Sequence, residues 1–73
     1  MTTERDAPEV VVNGTARVVR AGMSIGELVA DLGLAGKRIA VEKNGDIVPR
    51  SAYGHTVVRG GDRLEIVVAV GGG

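Results

Sequence analysis

Two Asn-Gly dipeptides, Asn13-Gly14 and Asn44-Gly45, each stand between runs of β-prone residues, and they restrict the fold of this chain more than any other feature. Val10, Val11 and Val12 precede the first, and Thr15-Ala16-Arg17-Val18-Val19 follows it; the second separates Ile39-Ala40-Val41-Glu42-Lys43 from Asp46-Ile47-Val48. A two-residue hairpin loop of type I′ needs positive φ at both central residues, and Asn-Gly accepts this at little cost. Each dipeptide therefore predicts a β-hairpin. No matching residues surround the two turns, so the hairpins do not form an internal repeat.

Between them the period changes. Ser24 and Glu27 are three apart, the spacing at which an N-cap hydroxyl and a carboxylate satisfy each other's helix-end donors. Met23 and Leu28 stand at hydrophobic-staple positions, and Ile25, Leu28, Val29 and Leu32 recur at helical spacing, which predicts one amphipathic helix over Ile25 to Leu32. Gly33 supplies a left-handed C-cap. A helix of barely two turns needs tertiary support.

After the second hairpin Pro49, which cannot donate to a ladder, stops the strand. Arg50 to Thr56 is loop-like, Val57-Val58 suits a short paired segment, Gly60-Gly61-Asp62 makes a turn, and Arg63 to Ala69 reads as the last strand. The order β-β-α-β-β-β predicts an α+β fold, a mixed sheet of four to five strands with one helix packed on one face, which is the β-grasp, ubiquitin-like architecture. The expected core is Val10, Val12, Val18, Leu28, Val29, Leu32, Ile39, Val41, Leu64, Ile66 and Val68. Three valines in a row hide which of them face inward. Residues 1–8 (MTTERDAP) are expected to form a flexible arm, 9–70 the β-grasp domain and 71–73 a flexible tail.

The 73 residues allow one small domain, which at this size buries only about 60% of the unfolded chain's surface. Thirteen valines make the core aliphatic and favour sheet. No cysteine and one histidine leave no framework for disulfide, thiol or clustered-histidine metal chemistry. Nine basic residues balance nine acidic ones and Tyr53 is the single aromatic residue, so neither a cationic field nor a stacking platform exists for nucleic acid. The longest apolar stretch, Ile66 to Val70, is far short of the roughly 20 residues that span a bilayer, and the leading residues lack a signal peptide's apolar region. A cytoplasmic, soluble protein, monomeric when alone, is the expectation. Ser51 or Ser24, His55 and Asp46 or Asp62 have the residue types of a hydrolytic triad, but no local signature supports one. The glycines lack Walker spacing and Gly60-Gly61 precedes a strand, so they are turn punctuation.

The last residues are chemically different. Gly71-Gly72-Gly73 follows the final strand directly, and a glycine end without Cβ threads a narrow channel and exposes its carbonyl to attack from either face; three residues extended span roughly 10 Å. Gly73 is then the candidate reactive residue, with Gly71 and Gly72 as its lead. On the last strand the outward residues change from Arg63 and Glu65 to Val67 and Ala69, which makes Val67 and Ala69 a candidate partner-docking patch on a sheet face without cover of its own.

Val12-Asn13-Gly14, the stretch from Val41 through Asn44-Gly45-Asp46-Ile47-Val48-Pro49-Arg50, and Gly61-Asp62-Arg63-Leu64-Glu65-Ile66-Val67 leading to Ala69-Val70-Gly71-Gly72-Gly73 resemble the thiamine-pathway sulfur carrier family, ThiS, of the ubiquitin-like β-grasp group. The resemblance covers about residues 10 to 73, and its most specific part is the Asn-Gly-x-Ile-Val-Pro-Arg stretch. The N-terminal arm and a third glycine depart from the simplest pattern. The resemblance implies that a ThiF-like adenylyltransferase uses ATP and magnesium to convert the Gly73 carboxylate to an acyl-adenylate. Sulfur from a cysteine-persulfide donor then replaces AMP as a thiocarboxylate, which thiazole synthase (ThiG) consumes. The chain itself would bind no cofactor and act as a cosubstrate and not an enzyme, because it has no residues to supply the leaving group. A sulfur carrier for molybdopterin or cysteine synthesis and a ubiquitin-like protein modifier share the same tail chemistry and remain alternatives at this point, as does a plain binding module with an inert tail.

Overall fold

Both turns form where the dipeptides stand: Asn13 and Gly14 have φ of 50° and 85°, and Asn44 and Gly45 of 53° and 88°. In the computed structural model, which describes residues 7–69, the first turn joins β1 (Glu9–Val12) to β2 (Thr15–Val18) and the second joins β3 (Ile39–Lys43) to β4 (Asp46–Val48). Residues 1–6 of the expected arm, Val70 and the expected tail 71–73 lie outside the described residues. Ala7 and Pro8 are half-buried, and the Pro8 carbonyl accepts the Val19 N–H at 2.9 Å.

The last strand, β5 (Arg63–Val68), enters between the hairpins, parallel to β1 and antiparallel to β3, giving a five-stranded mixed sheet of order β2-β1-β5-β3-β4. The final strand of the sequence is therefore the central strand of the sheet. The single helix α1 (Ile25–Asp31) starts on its capping box: Ser24 Oγ accepts the Glu27 N–H at 3.1 Å while the Ser24 N–H donates to Glu27 Oε1 at 2.9 Å. Leu32 is the C-cap instead of the last helical residue. Gly33, at φ 77°, donates to the Ala30 carbonyl and Leu34 donates to that of Val29, a Schellman arrangement that only a residue tolerant of positive φ closes without strain.

The core lies between α1 and the sheet and consists of Val10, Val12, Val19, Met23, Ile25, Leu28, Val29, Val41, Val48, Val58, Leu64 and Ile66. Four expected core residues are outside it: Leu32 and Ile39 are half-buried against it, while Val18 is 64% exposed and Val68 is 40% exposed. The two-residue turn sets Val10 opposite Arg17 and Glu9 opposite Val18. Once Val10 faces α1, alternation sends Val18 to the other face, and Val19 takes the inward place. Val68 does lie on the helix side, opposite Ile39, but at the strand's end. A seven-residue helix is about 10 Å long, whereas the six residues of β5 run roughly 20 Å, so the helix leaves an end of the strand partly open. Leu32 and Ile39 are half-buried at the same end.

The segment expected to be loop-like contains one 3-10 turn, Arg50–Ala52, capped by Pro49. Val57 makes an isolated antiparallel bridge to Ser24, and buried Val58 donates its N–H to the Met23 carbonyl at 2.8 Å. The short paired segment thus exists, tied to the approach of α1.

Asn44 does more than turn the chain. Its Oδ1 accepts the Arg63 N–H at 2.9 Å and its Nδ2 donates to Asp62 Oδ1 at 3.0 Å, while Asp62 Oδ2 accepts the Arg59 N–H at 2.8 Å. Buried Asp62 is thereby satisfied at both oxygens and the start of β5 is clamped to the second hairpin. Replacing Asn44 with Gly keeps the turn and removes the clamp, with an expected cost of about 1–3 kcal/mol in urea unfolding. Asn44→Ala should cost about 1–2 kcal/mol more, from the left-handed backbone. A glycine variant as stable as the parent would assign Asn44 to the turn alone.

Candidate functional site

The candidate site is built on the second half of β5. Its first half is paired on both sides, with Val11 opposite Arg63 and Val12 opposite Leu64 in β1 and with β3 along its other edge. β1 ends at Val12, and the Asn13 side chain continues in its place: the Ile66 N–H donates to Asn13 Oδ1 at 2.7 Å and Asn13 Nδ2 donates to the Ile66 carbonyl at 3.1 Å. Beyond that amide the chain is held by β3, through Ala40 opposite Val67, Ile39 opposite Val68 and the Ala69 N–H donating to the Arg38 carbonyl at 2.8 Å. The backbone is thus carried out of the middle of the sheet to Ala69, the last described residue. Gly71, Gly72 and Gly73, the candidate reactive residue and its lead, lie outside the described residues.

Val67 and Ala69 are both exposed, Val67 by 62%. Register adds neighbours that the sequence alone does not single out. Ala40 lies opposite Val67, and in the next row Ile47 of β4, Glu42 of β3 and Glu65 of β5 stand side by side. These residues alternate with buried Val41, Val48, Leu64 and Ile66, so they share the sheet face away from α1. Ile47 is 66% exposed. The open face beside the strand end is therefore an apolar patch around two carboxylates. Pairing of β3 with β5 is a long-range property that no local pattern reports, which is why Ala40, Ile47 and Glu42 escape a reading of single segments.

Of the candidate triad residues Ser24 and Asp62 serve the structure, while Ser51, His55 and Asp46 are exposed. Ser24 caps α1, Asp62 clamps Asn44 and Arg59, and His55 is an exposed residue whose N–H closes on the Ala52 carbonyl. Among the described residues no group of three or more His, Cys, Asp or Glu side chains could hold a metal ion, and no helix is long and apolar enough to cross a membrane. Two clefts of about 250 Å³ open at the seams of α1, one beside Val18, Val19 and Leu28 and the other beside Val29, Leu34 and Tyr53.

A model of the ThiS family matches residues 7–73. The chain is 43% identical over 65 residues to a thiazole synthase of Paramagnetospirillum magneticum and 35% identical over 65 residues to one of Magnetococcus marinus. In both cases the match covers 89% of this chain and 20% of the relative, so the chain spans about a fifth of the length of these curated proteins. Among solved structures, the crystal structure of the thiamine biosynthesis protein ThiS from Geobacter metallireducens superposes with a TM-score of 0.76 at 32% identity, covering 89% of this chain and 99% of that one. The solution structure of a thiamine biosynthesis protein from the same organism gives 0.72 at 32% identity, covering 89% of this chain and 87% of that one. With a β-grasp sheet, a single capped helix and a family match that runs through the glycine tail, this chain belongs to the ThiS family.

Proposed function

We propose that the chain is a sulfur carrier for thiamine thiazole biosynthesis in which Gly73 is the residue that reacts. The observation that carries this reading is the family match extending to Gly73. A carboxylate is a poor electrophile until a phosphoryl leaving group is attached, so a ThiF-like adenylyltransferase with ATP and magnesium supplies the acyl-adenylate. A cysteine-persulfide donor supplies the sulfur that displaces AMP, and thiazole synthase receives it from the Gly73 thiocarboxylate. The domain itself contributes a side-chain-free lead, Gly71-Gly72, and a strand anchored at mid-sheet to present it. The similarity to two thiazole synthases favours the thiamine pathway over molybdopterin or cysteine synthesis and over protein modification.

Intact mass tests the reading. Incubation with the adenylyltransferase, ATP, magnesium and a sulfur source should add about 16 Da at the terminus, one oxygen exchanged for sulfur. A mass that stays at the parent value would overturn the carrier role.

Val67 and Ala69 are the proposed docking residues for both enzymes. Val67→Asp should weaken binding in a titration with the adenylyltransferase while the melting temperature stays near the parent's, because a side chain this exposed contributes little to the core. Unaltered affinity would remove Val67 from the interface.

A further inference from the structure

Glu42 and Glu65 stand directly opposite each other on β3 and β5, an arrangement that repels and destabilises a sheet. Among the described residues the ion pairs are Arg20–Asp31 and Lys43–Asp62, so neither glutamate has a cation within ion-pair distance. Arg63, two residues before Glu65 on the same face, forms no ion pair with either. The pair is set in the apolar part of the open face, with Ile47 beside Glu42 and with Ala40 and Val67 in the adjoining row.

We propose that Glu42 and Glu65 together recognise a cationic side chain of thiazole synthase that docks on the Ala40, Ile47 and Val67 patch; this rests on the carrier reading above. A partner that covers Ile47 and Val67 also removes the two carboxylates from water, and burying them without a counter-charge is strongly unfavourable. Cross-strand neighbours have Cβ atoms about 4.5–5.5 Å apart, a spacing at which one guanidinium fork reaches both carboxylates. The repulsion present in the free domain becomes attraction once that cation is in place. The patch adjoins the strand end that leads to the tail, and thiazole synthase is the occupant because the relatives that contain a segment like this chain are themselves thiazole synthases, about five times its length.

The test is calorimetric titration of purified thiazole synthase with the parent chain, Glu42→Gln, Glu65→Gln and the double variant, at low and high salt. The double variant should bind roughly tenfold more weakly at low salt and lose most of the parent's salt dependence. Free of partner it should melt at the parent's temperature or above, because the repulsion is gone. Asp46→Asn removes the same charge from an exposed residue on the other face of the β3–β4 hairpin and should bind as the parent does. Equal affinity and equal salt dependence for the double variant and the parent would overturn the proposal. So would a loss as large in Asp46→Asn, which reports net charge alone, or a lowered melting temperature in the double variant, which reports a structural role. A parent that acquires the thiocarboxylate mass while the double variant binds unchanged leaves the carrier reading standing and removes the glutamate pair; a parent that acquires no sulfur removes both.

Discussion

Truncating Leu64 to Ala is expected to remove about 2–5 kcal/mol of stability, the largest thermodynamic effect of any single substitution considered for this domain. Leu64 is 0% exposed and sits on the central strand, opposite Val12 on one side and Lys43 on the other. A cavity there lies beneath α1 and between both hairpins, where a seven-residue helix offers little material to collapse into it. Natural domains hold roughly 0.05–0.15 kcal/mol per residue, or about 4–11 kcal/mol for a chain of this length, so the variant loses a large part of its total. At roughly 4–8 °C per kcal/mol the melting temperature should fall by tens of degrees, read by thermal circular dichroism. Ile47→Ala, a truncation at a residue 66% exposed, should stay within about 0.5 kcal/mol of the parent. Equal melting of the Leu64 variant and the parent would mean that the core is elsewhere.

How far the fold is legible in the sequence depends on how local each decision is. The Asn-Gly turns, the Ser24–Glu27 box and the Gly33 cap each need a few adjacent residues, and each forms at its expected place. Val18 shows a decision one step less local. With Val10 and Val12 assigned inward, a two-residue turn pairs residue 10 with 17 and 9 with 18, which already sends Val18 outward and Val19 inward. The register follows from the turn length together with the facing of β1, and the run Val10-Val11-Val12 leaves that facing ambiguous in the sequence. The central place of β5 and the apposition of Glu42 with Glu65 are decisions between segments more than twenty residues apart, and no period or turn residue encodes them.

The stretch that carries most of the family resemblance turns out to serve the fold at most of its positions. Asn44 clamps β5, Val48 is buried, Pro49 caps the 3-10 turn and Arg50 Nη2 donates to the Lys37 carbonyl at 3.4 Å. Of its residues only Ile47 belongs to the exposed patch. The most family-specific sequence therefore holds β3, β4 and β5 in the register that forms the patch, while the proposed chemistry falls on Gly73, outside that stretch. For the same reason fold and function should separate cleanly on mutation.

Gly72→Val is expected to show that separation as a loss of adenylation on the order of 100-fold or more, with thermal stability unchanged. Under the proposed chemistry the Gly73 carboxylate must lie in line with the α-phosphate of ATP inside a partner's channel. A β-branched side chain on the preceding residue adds bulk on Cβ and restricts the backbone next to the reacting carbonyl. Misplacement by about 1 Å is enough to cost roughly 100-fold in a reaction that depends on near-attack geometry. The chain keeps its length and its terminal glycine, so the variant isolates steric access from reach. Deleting Gly73 is less decisive: it draws the carboxylate back by roughly 3.5 Å, yet the shortened chain still ends in Gly71-Gly72 and presents a diglycine to the same channel. The measurement is ATP–pyrophosphate exchange on the adenylyltransferase, with melting followed in parallel. Exchange at the parent's rate by Gly72→Val would show that activation does not pass through a narrow channel at this terminus, and the tail would then be inert beside a binding module whose working surface is the open sheet face.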